Sequence, residues 1–149
     1  MKKLTSDDSK FIFITDLTKQ MKTFIIEGKE INSISDFYGQ INKLFMQNET
    51  WRIGESLDAL DDLLYRDFGS ATDEDKIKII WKDSSLSKDA LGLQSTKDFY
   101  RRKTFPNSPY NQKFVERKLK ELEDGVGQTY FEIVVEIFKS HANTEFHLE

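Results

Sequence analysis

The stretch WRIGESLDALDDLL, residues 51–64, reads as a loop followed by a helix. The rest of the chain must cover one side of this helix. Leu57, Leu60 and Leu64 recur with the helical period, and Leu63 widens the apolar stripe. The second half of the stretch therefore predicts an amphipathic helix whose leucine face packs on a core.

The opposite side of this helix carries more negative charge than helix stability favours. Asp58 and Asp62 stand four residues apart, with Glu55 before them and Asp61 beside Asp62. Aspartate is a weak helix former, and like charges at i and i+4 repel by about 0.2–0.5 kcal/mol a pair. The field of the helix N-terminus favours Glu55 and Asp58 but has mostly faded by Asp61 and Asp62. The acids therefore indicate a surface chosen for something other than local stability.

The loop before the acids predicts a tight approach to the helix. Gly54 supplies backbone freedom, and Ser56, with Glu55 beside it, stands where an N-cap belongs. Trp51 and Arg52 precede them, so an aromatic ring, a loop and a carboxylate face form a compact surface for a cationic partner. The alternative is that the acids only solvate a helix and that Trp51 belongs to the core.

The composition predicts one globular domain, residues 1–149. Hydrophobic residues make up 38% of the chain, with 12 Phe, which is enough for a packed core. The absence of cysteine excludes a disulfide scaffold, a thiol nucleophile and cysteine-ligated zinc. The apolar residues 11–14 are too short for a signal sequence, and no run reaches the roughly 18 apolar residues of a membrane span. We therefore expect a cytoplasmic protein with no membrane partner.

Charge is segregated along the chain. Residues 55–75 carry eight acids and one base, a net charge of −7, whereas residues 97–120 carry eight bases and two acids, a net charge of +6. A focused negative patch attracts a basic partner and speeds its encounter. Alternatively, the two segments face one another or are simply solvated.

The first half of the chain predicts alternating strands and helices. Strands are expected at 11–14 and 23–26, a helix from a Ser35 cap to about Met46, and a strand at 76–81, KIKIIW, with lysines on its wet side. Strand, helix, helix, strand without a hairpin turn predicts a crossover connection, a parallel strand pair and the α/β class.

The second half predicts further helices and a closing strand, placed by capping residues and periodicity. In order they are a short mixed segment at 86–93, a helix from Ser95 or Thr96 to Lys103, a helix from Ser108 and Pro109 to a stop at Gly125 and Gly127, a helix at 128–141 and a strand at 144–148.

The basic segment 97–120 raises the alternative of an RNA-binding or regulatory module, because nucleic-acid affinity is largely electrostatic. Its helix also carries Glu121, Glu123 and Asp124, which favours a solvated helix, and it lacks the aromatic-and-glycine motif of the RRM or KH type. We expect residues 101–103 to make no strong, specific RNA contact, and we predict no direct nucleic-acid partner.

An enzyme that uses the aspartates as metal ligands is a further alternative. Their spacing fits neither an EF-hand nor an HExxH site, and the histidines, His141 and His147, lie far along the chain. A histidine at a helix end is more often structural. We therefore predict no enzymatic activity, no catalytic residues, no cofactor and no metal.

Four stretches resemble the barstar family of intracellular ribonuclease inhibitors. They cover roughly residues 23–90 and 127–149, and the most specific is the pattern Gly-x-x-Leu-Asp-Ala-Leu-x-Asp that begins at Gly54. The resemblance implies a three-stranded parallel sheet covered by helices, with residues 1–22 as an N-terminal extension and residues 92–126 as an extra helical insertion. The four stretches are TFIIEGKEINSISDFY, GESLDALDDLL, KIKIIWKDSSLSK and GQTYFEIVVEIFKSHANTEFHLE.

The resemblance also implies a function: an immunity protein that blocks the active site of a basic ribonuclease toxin as a monomer in a 1:1 complex. Asp58 and Asp62 would replace the phosphates of RNA, and Gly54 would let the loop approach the enzyme closely. The predicted partner-binding residues are Asp58, Asp62, Gly54, Glu55, Asp61, Trp51, Arg52 and Ser56.

The chain departs from the family pattern at several of these positions. Arg52 and Ile53 stand where tyrosines are common, Asp61 replaces an aromatic residue and Ser56 replaces an asparagine. A further acid of the family falls near Ser140. These departures bear on which nuclease is recognised.

Overall fold

The computed structural model describes residues 21–65 and 76–149, and three strands in this part of the chain form one sheet. Strand β1 is Met21–Glu27, β2 is Lys76–Lys82 and β3 is Thr144–Leu148. The order is β1-β2-β3, and both neighbouring pairs are parallel. The predicted α/β class and three-stranded parallel sheet are confirmed, whereas the predicted strand at 11–14 lies outside the described residues.

Six α-helices in the described residues make the two crossovers that parallel strands require. A single 3₁₀ turn, Gly28–Glu30, follows β1. Two of the helices connect β1 to β2, and four connect β2 to β3. They are α1 Ile34–Phe45, α2 Leu57–Leu63, α3 Ser84–Ala90, α4 Leu93–Arg101, α5 Gln112–Glu123 and α6 Tyr130–Lys139.

One face of the sheet packs against the hydrophobic core. Phe24, Ile79 and Phe146 stand side by side in the strand register, and the neighbouring row contains Ile26 beside Trp81. Side chains alternate between faces along a strand, so the lysines of β2 point to the other side. The predicted wet side of this strand is therefore confirmed by the burial pattern, in which Ile77, Ile79 and Trp81 are buried.

Trp81 is the centre of this core. Its ring is fully buried and stacks on Phe37 of α1 at a centroid distance of 5.5 Å. Phe131 and Phe138 of α6 meet it edge-on at 5.1 and 6.2 Å. The buried indole N–H donates to Ser87 Oγ at 2.9 Å, so its polar atom is satisfied.

A close backbone approach beside Trp81 requires a glycine. Ser87 Oγ donates to the carbonyl oxygen of Gly28 at 3.1 Å, which draws the 3₁₀ turn against β2 and α3. A Cβ atom on Gly28 would lie 2.3 Å from Lys82 O and 2.5 Å from Asp83 O. Both are backbone atoms that cannot move aside cheaply.

Helices α4 and α5 have a small core of their own. Tyr100 of α4 packs with Val115 and Leu122 of α5, and all three are buried. The pair is attached to the main core through α6, because the Tyr130 backbone N–H donates to Thr96 Oγ1 at 2.7 Å. The ring of Phe99 also meets the ring of Tyr130 at 4.9 Å. Residues 92–126 thus contain the helices α4 and α5, and their status as an insertion stays a prediction.

The predicted start of α1 is wrong. Ser33, not Ser35, is the N-cap, and its Oγ accepts from the backbone N–H of Asp36 at 3.0 Å. The Asp36 carboxylate accepts from the backbone N–H of Asn32 at 2.9 Å. The two bonds satisfy one backbone donor in the first turn of α1 and one just before the cap.

Two further predicted starts are wrong for similar reasons. Helix α4 follows Gly92, and Thr96 lies inside it, where its buried hydroxyl bonds Gly92 O and the N-terminus of α6. Helix α5 is capped by Asn111, whose Oδ1 accepts from Phe114 N at 3.1 Å. Ser108 instead donates to Lys103 O at 2.7 Å and closes the preceding loop.

We expect opposite effects from alanine at two glycines. Gly28→Ala should lower the free energy of unfolding by about 1–3 kcal/mol, because the new methyl group overlaps backbone atoms. Gly39→Ala should raise it by about 0.5–1 kcal/mol, because Gly39 is inside α1 and a Cβ there meets nothing within 4 Å. Urea unfolding of both variants measures the difference, and a stabilised Gly28→Ala protein would contradict this packing.

Candidate functional site

Helix α2 is held by its leucine face. Leu60, Leu63 and Leu64 are buried in the main core, as the periodicity predicted. Ser56 is the N-cap, and its Oγ accepts from the backbone N–H of Ala59 at 3.2 Å. A helix of this length is not stable alone, so the position of α2 is determined by what its leucines contact.

Three carboxylates of the acidic stretch face solvent. Glu55, Asp58 and Asp62 are all exposed. Within residues 21–65 and 76–149, none of the three side chains forms an ion pair or accepts a hydrogen bond. Asp58 and Asp62 lie one helical turn apart on the same side of α2, where their charges repel.

Asp61 has a different role from its neighbours. Its Oδ1 lies 2.7 Å from Nε2 of His141, which follows α6 and is only 4% exposed. The ring of Tyr65 meets the imidazole edge-on at a centroid distance of 4.4 Å. The two partners are 80 residues apart in sequence, and the pair fastens the acidic helix to the end of α6. Sequence analysis missed this contact.

The side-chain amide of Asn42 fastens the loop before α2 to α1. Asn42 Nδ2 donates to Ile53 O at 3.0 Å, and Ile53 N donates to Asn42 Oδ1 at 2.8 Å. Ile53 is buried, whereas Trp51 is 52% exposed and Arg52 is exposed. The alternative that Trp51 belongs to the core is therefore wrong.

Gly54 does not have the conformational role that the sequence indicated. Among the described glycines only Gly125 has a positive φ, and a Cβ on Gly54 would meet nothing within 4 Å. The Gly54 carbonyl accepts from Ser56 N at 2.9 Å, a contact that any residue can make. The prediction that the free protein needs a glycine here is wrong.

Glu55 lies close to a buried tyrosine pair. The hydroxyls of Tyr38 and Tyr130 are 2.7 Å apart inside the core. Burial raises the pKa of Tyr38 to about 12, and the negative charge of Glu55 acts in the same direction. Burial also raises the pKa of Tyr130. Both hydroxyls stay neutral at physiological pH, so the pair joins α1 to α6 without adding a charge to the core. The exposed carboxylates Glu55, Asp58 and Asp62 are called the acidic surface below.

The predicted partner-binding residues thus lie on the loop before α2 and along the helix itself, which carries Asp58, Asp61 and Asp62. Trp51, Arg52, Gly54 and Glu55 lie on the exposed part of the loop, and Ser56 uses its hydroxyl for the helix cap. In the part of the chain that the structure describes, no three His, Cys, Asp or Glu side chains are grouped to hold a metal ion. Among the same residues, no helix has the length and apolar character to cross a membrane.

No family model matches the chain, and no curated protein matches it. The resemblance to the barstar family therefore depends on the four stretches quoted above and stays a prediction.

We expect neighbouring aspartates of α2 to differ in their effect on stability. Asp61→Ala should lower the free energy of unfolding by about 1 kcal/mol or more, because it leaves the buried His141 Nε2 without a partner. Asp62→Ala is the matched control and should be neutral or slightly stabilising, since it removes a repelling charge. Urea unfolding of the two variants at pH 7 measures both values. Equal losses would show that the contact with His141 does not hold the helix.

Proposed function

We propose that this protein binds and inhibits a basic ribonuclease through α2 and the loop that precedes it. The observation that carries the proposal is the pair of exposed carboxylates, Asp58 and Asp62, which lack partners in the described residues and lie on a helix whose other side is buried. The resemblance to the barstar family supplies the class of partner.

The chemistry of the two surfaces is complementary. A ribonuclease active site presents Lys, Arg and His to bind phosphate and to stabilise the charge that develops during cleavage. Asp58 and Asp62 offer two negative groups at a fixed spacing, in place of two phosphates. Because α2 is anchored by Leu60 and by the contact between Asp61 and His141, little conformational entropy is lost when the nuclease binds.

The acids also account for the rates at which the nuclease binds and is released. Their mutual repulsion in the free protein is relieved when cations of the enzyme lie between them. Exposed negative charge speeds the encounter with a basic protein, and a charge that becomes buried and paired slows its release. Asp58 and Asp62 therefore affect mainly the dissociation rate. Glu55, which precedes the helix, affects both the association rate and the dissociation rate.

The loop residues have supporting roles in this proposal. The exposed ring of Trp51 offers apolar area beside the carboxylates, where aromatic residues often dominate binding. Arg52 lies beside it and donates weakly to backbone oxygens of Trp51 and Met46. Ser56 acts indirectly, because its hydroxyl sets the direction of α2.

The proposed biological setting is that of an immunity protein. It would keep a toxic nuclease inactive in the cytoplasm of the cell that makes it, as one inhibitor on one enzyme. Inhibition by occupation needs no catalytic group, cofactor or metal. We expect the protein by itself to leave RNA intact, with or without divalent metal ions.

The decisive variant is Asp62→Ala. We expect it to weaken binding to the inhibited nuclease by at least about 30-fold, mainly through faster dissociation, because truncating one partner of a buried charge pair costs about 2–5 kcal/mol. Candidate basic ribonucleases are first screened for loss of RNA cleavage when the wild-type protein is added. Binding kinetics with the inhibited enzyme at two salt concentrations then measure the effect of the substitution.

Two controls accompany this measurement. Asp89→Ala removes an exposed acid from α3 and should leave the dissociation rate unchanged. Leu60→Ala should instead lower the free energy of unfolding by about 2–5 kcal/mol, because Leu60 is fully buried. Unchanged affinity in Asp62→Ala, or a large fall in its melting temperature, would mean that α2 is a structural surface only.

Gly54→Ala tests the loop separately. We expect the free energy of unfolding to change by less than about 0.5 kcal/mol, because the new methyl group enters open space. Nuclease affinity should fall if the loop backbone approaches the enzyme closely, since the methyl group would then stand between them. Thermal unfolding and binding kinetics on the same sample measure both. Unchanged affinity would remove Gly54 from the proposed interface.

A further inference from the structure

The connection between α4 and α5 exposes three aromatic rings within a short length of chain. Phe105 is 49% exposed, Tyr110 is 47% exposed and Phe114 is 42% exposed. In the sequence, this region stands out for its positive charge. Exposed aromatic rings interleaved with cations form a surface of a recognisable chemical type.

Cationic groups lie directly against two of these rings. Lys103 Nζ is 4.0 Å from the centroid of the Tyr110 ring. On α5, the guanidinium of Arg117 and the ammonium of Lys118 lie 5.3 and 5.4 Å from the centroid of the Phe114 ring. Rings and positive charges therefore occupy the same surface, which we call the aromatic–basic surface, residues 101–118.

Of the acids that favoured a solvated helix, Glu121 contacts the edge of this surface, and Asp124 lies beyond it. Glu121 pairs with Lys118 at 3.6 Å, and Asp124 pairs with Lys120 at 3.4 Å, toward the end of α5. Residues 101–118 carry six bases and one acid, a net charge of +5. Two of these bases form ion pairs with acids outside the segment: Arg101 with Asp98 and Lys118 with Glu121, each at 3.6 Å. Among the described residues, its exposed bases Arg102, Lys113 and Arg117 form no ion pair.

The loop that carries the rings is internally bonded. Ser108 Oγ donates to Lys103 O at 2.7 Å, and Gln112 Nε2 donates to the same oxygen at 3.0 Å. The Gln112 amide also donates to Tyr110 O at 3.0 Å. Directly after the loop, Val115 of α5 belongs to the small buried cluster of α4 and α5. These hydrogen bonds hold the loop in one conformation, which lowers the entropic cost of binding to its rings.

We propose that the aromatic–basic surface binds single-stranded nucleic acid without sequence preference. Unpaired bases stack on the rings of Tyr110 and Phe114, and phosphates are contacted by Arg102, Lys113 and Arg117. A duplex cannot use the rings, because its bases are stacked on one another. An acidic protein segment would match the charges but would give the rings no stacking partner. Binding here does not require a nuclease partner. It departs from the sequence-based prediction of no direct nucleic-acid partner, because that prediction weighed the charges of the segment and not its exposed rings. It involves no sequence-specific contact by residues 101–103.

The test measures fluorescence anisotropy of labelled oligonucleotides of about 12 nucleotides, as DNA and as RNA, with the full chain. We expect both single strands to bind more tightly than a duplex of the same sequence. Affinity should fall as salt rises from about 50 to about 200 mM, and each of Arg102→Ala, Lys113→Ala and Arg117→Ala should reduce the salt slope by about 0.7.

Stacking is tested by Phe114→Ala and Phe114→Leu. Both should weaken binding of the single strands by about tenfold, because the second variant keeps apolar bulk but removes the ring. Tyr110→Leu provides the same comparison at a loop position, so the test survives if one variant fails to fold. Two matched controls should bind like the wild type: Lys88→Ala, which removes an exposed base from α3, and Trp51→Ala, which removes an exposed ring near α2.

Several results would overturn the proposal. One is no binding of either oligonucleotide at about 50 mM salt, and another is unchanged affinity in both Phe114→Leu and Tyr110→Leu. Equal affinity for duplex, single strand and polyglutamate would show a general attraction for polyanions, or an acidic protein partner, in place of stacking. Because Trp51→Ala should weaken nuclease binding and leave oligonucleotide binding unchanged, failure of one proposal is distinguishable from failure of the other.

Discussion

The packing of Trp81 against α1 and α6 is the constraint on which the candidate site depends. Phe37 of α1 and Phe138 of α6 both contact its ring. The same two helices supply the anchors of the acidic surface, because Asn42 on α1 holds the loop and His141 at the end of α6 holds Asp61. A change in how either helix packs on Trp81 would therefore move one end of the site relative to the other.

This arrangement explains how the chain tolerates an acidic helix that is unfavourable by itself. The repulsion between Asp58 and Asp62 is worth a few tenths of a kcal/mol, whereas each buried leucine side chain stabilises the fold by about 1.5–3 kcal/mol. The leucine face of α2 therefore outweighs the repulsion on its exposed face. Local unfavourable charge of this kind is expected at a binding surface, where a partner relieves it.

The two proposed surfaces have opposite charge and different supports. The acidic surface depends on the main core, whereas the aromatic–basic surface depends on the small cluster formed by Tyr100, Val115 and Leu122. The contact between Thr96 and Tyr130 joins the two clusters. The two proposals thus assign a cationic protein and a nucleic acid to separate parts of one chain. Salt should weaken both proposed interactions, because both are electrostatic.

The sequence by itself determined the elements whose evidence is local. The alternation of Ile77, Ile79 and Trp81 and the spacing of leucines in α2 report burial directly, because side-chain direction follows the strand and helix periods. The parallel pairing followed from the helices between the strands. The Ser56 cap was also predicted, since one suitable residue stands between Gly54 and the leucine stripe.

Tertiary structure decided the contacts between elements and the choice among competing caps. The pairs Asp61 with His141 and Asn42 with Ile53 join distant parts of the chain, and no periodicity indicates which polar side chains will meet. Thr96 is a good capping residue by type, but its hydroxyl instead accepts a hydrogen bond from the buried backbone N–H of Tyr130 at the start of α6. A buried backbone donor requires such a partner. The sequence could thus place an acidic helix on a core, and only the packing of that core shows which acids remain available to a partner.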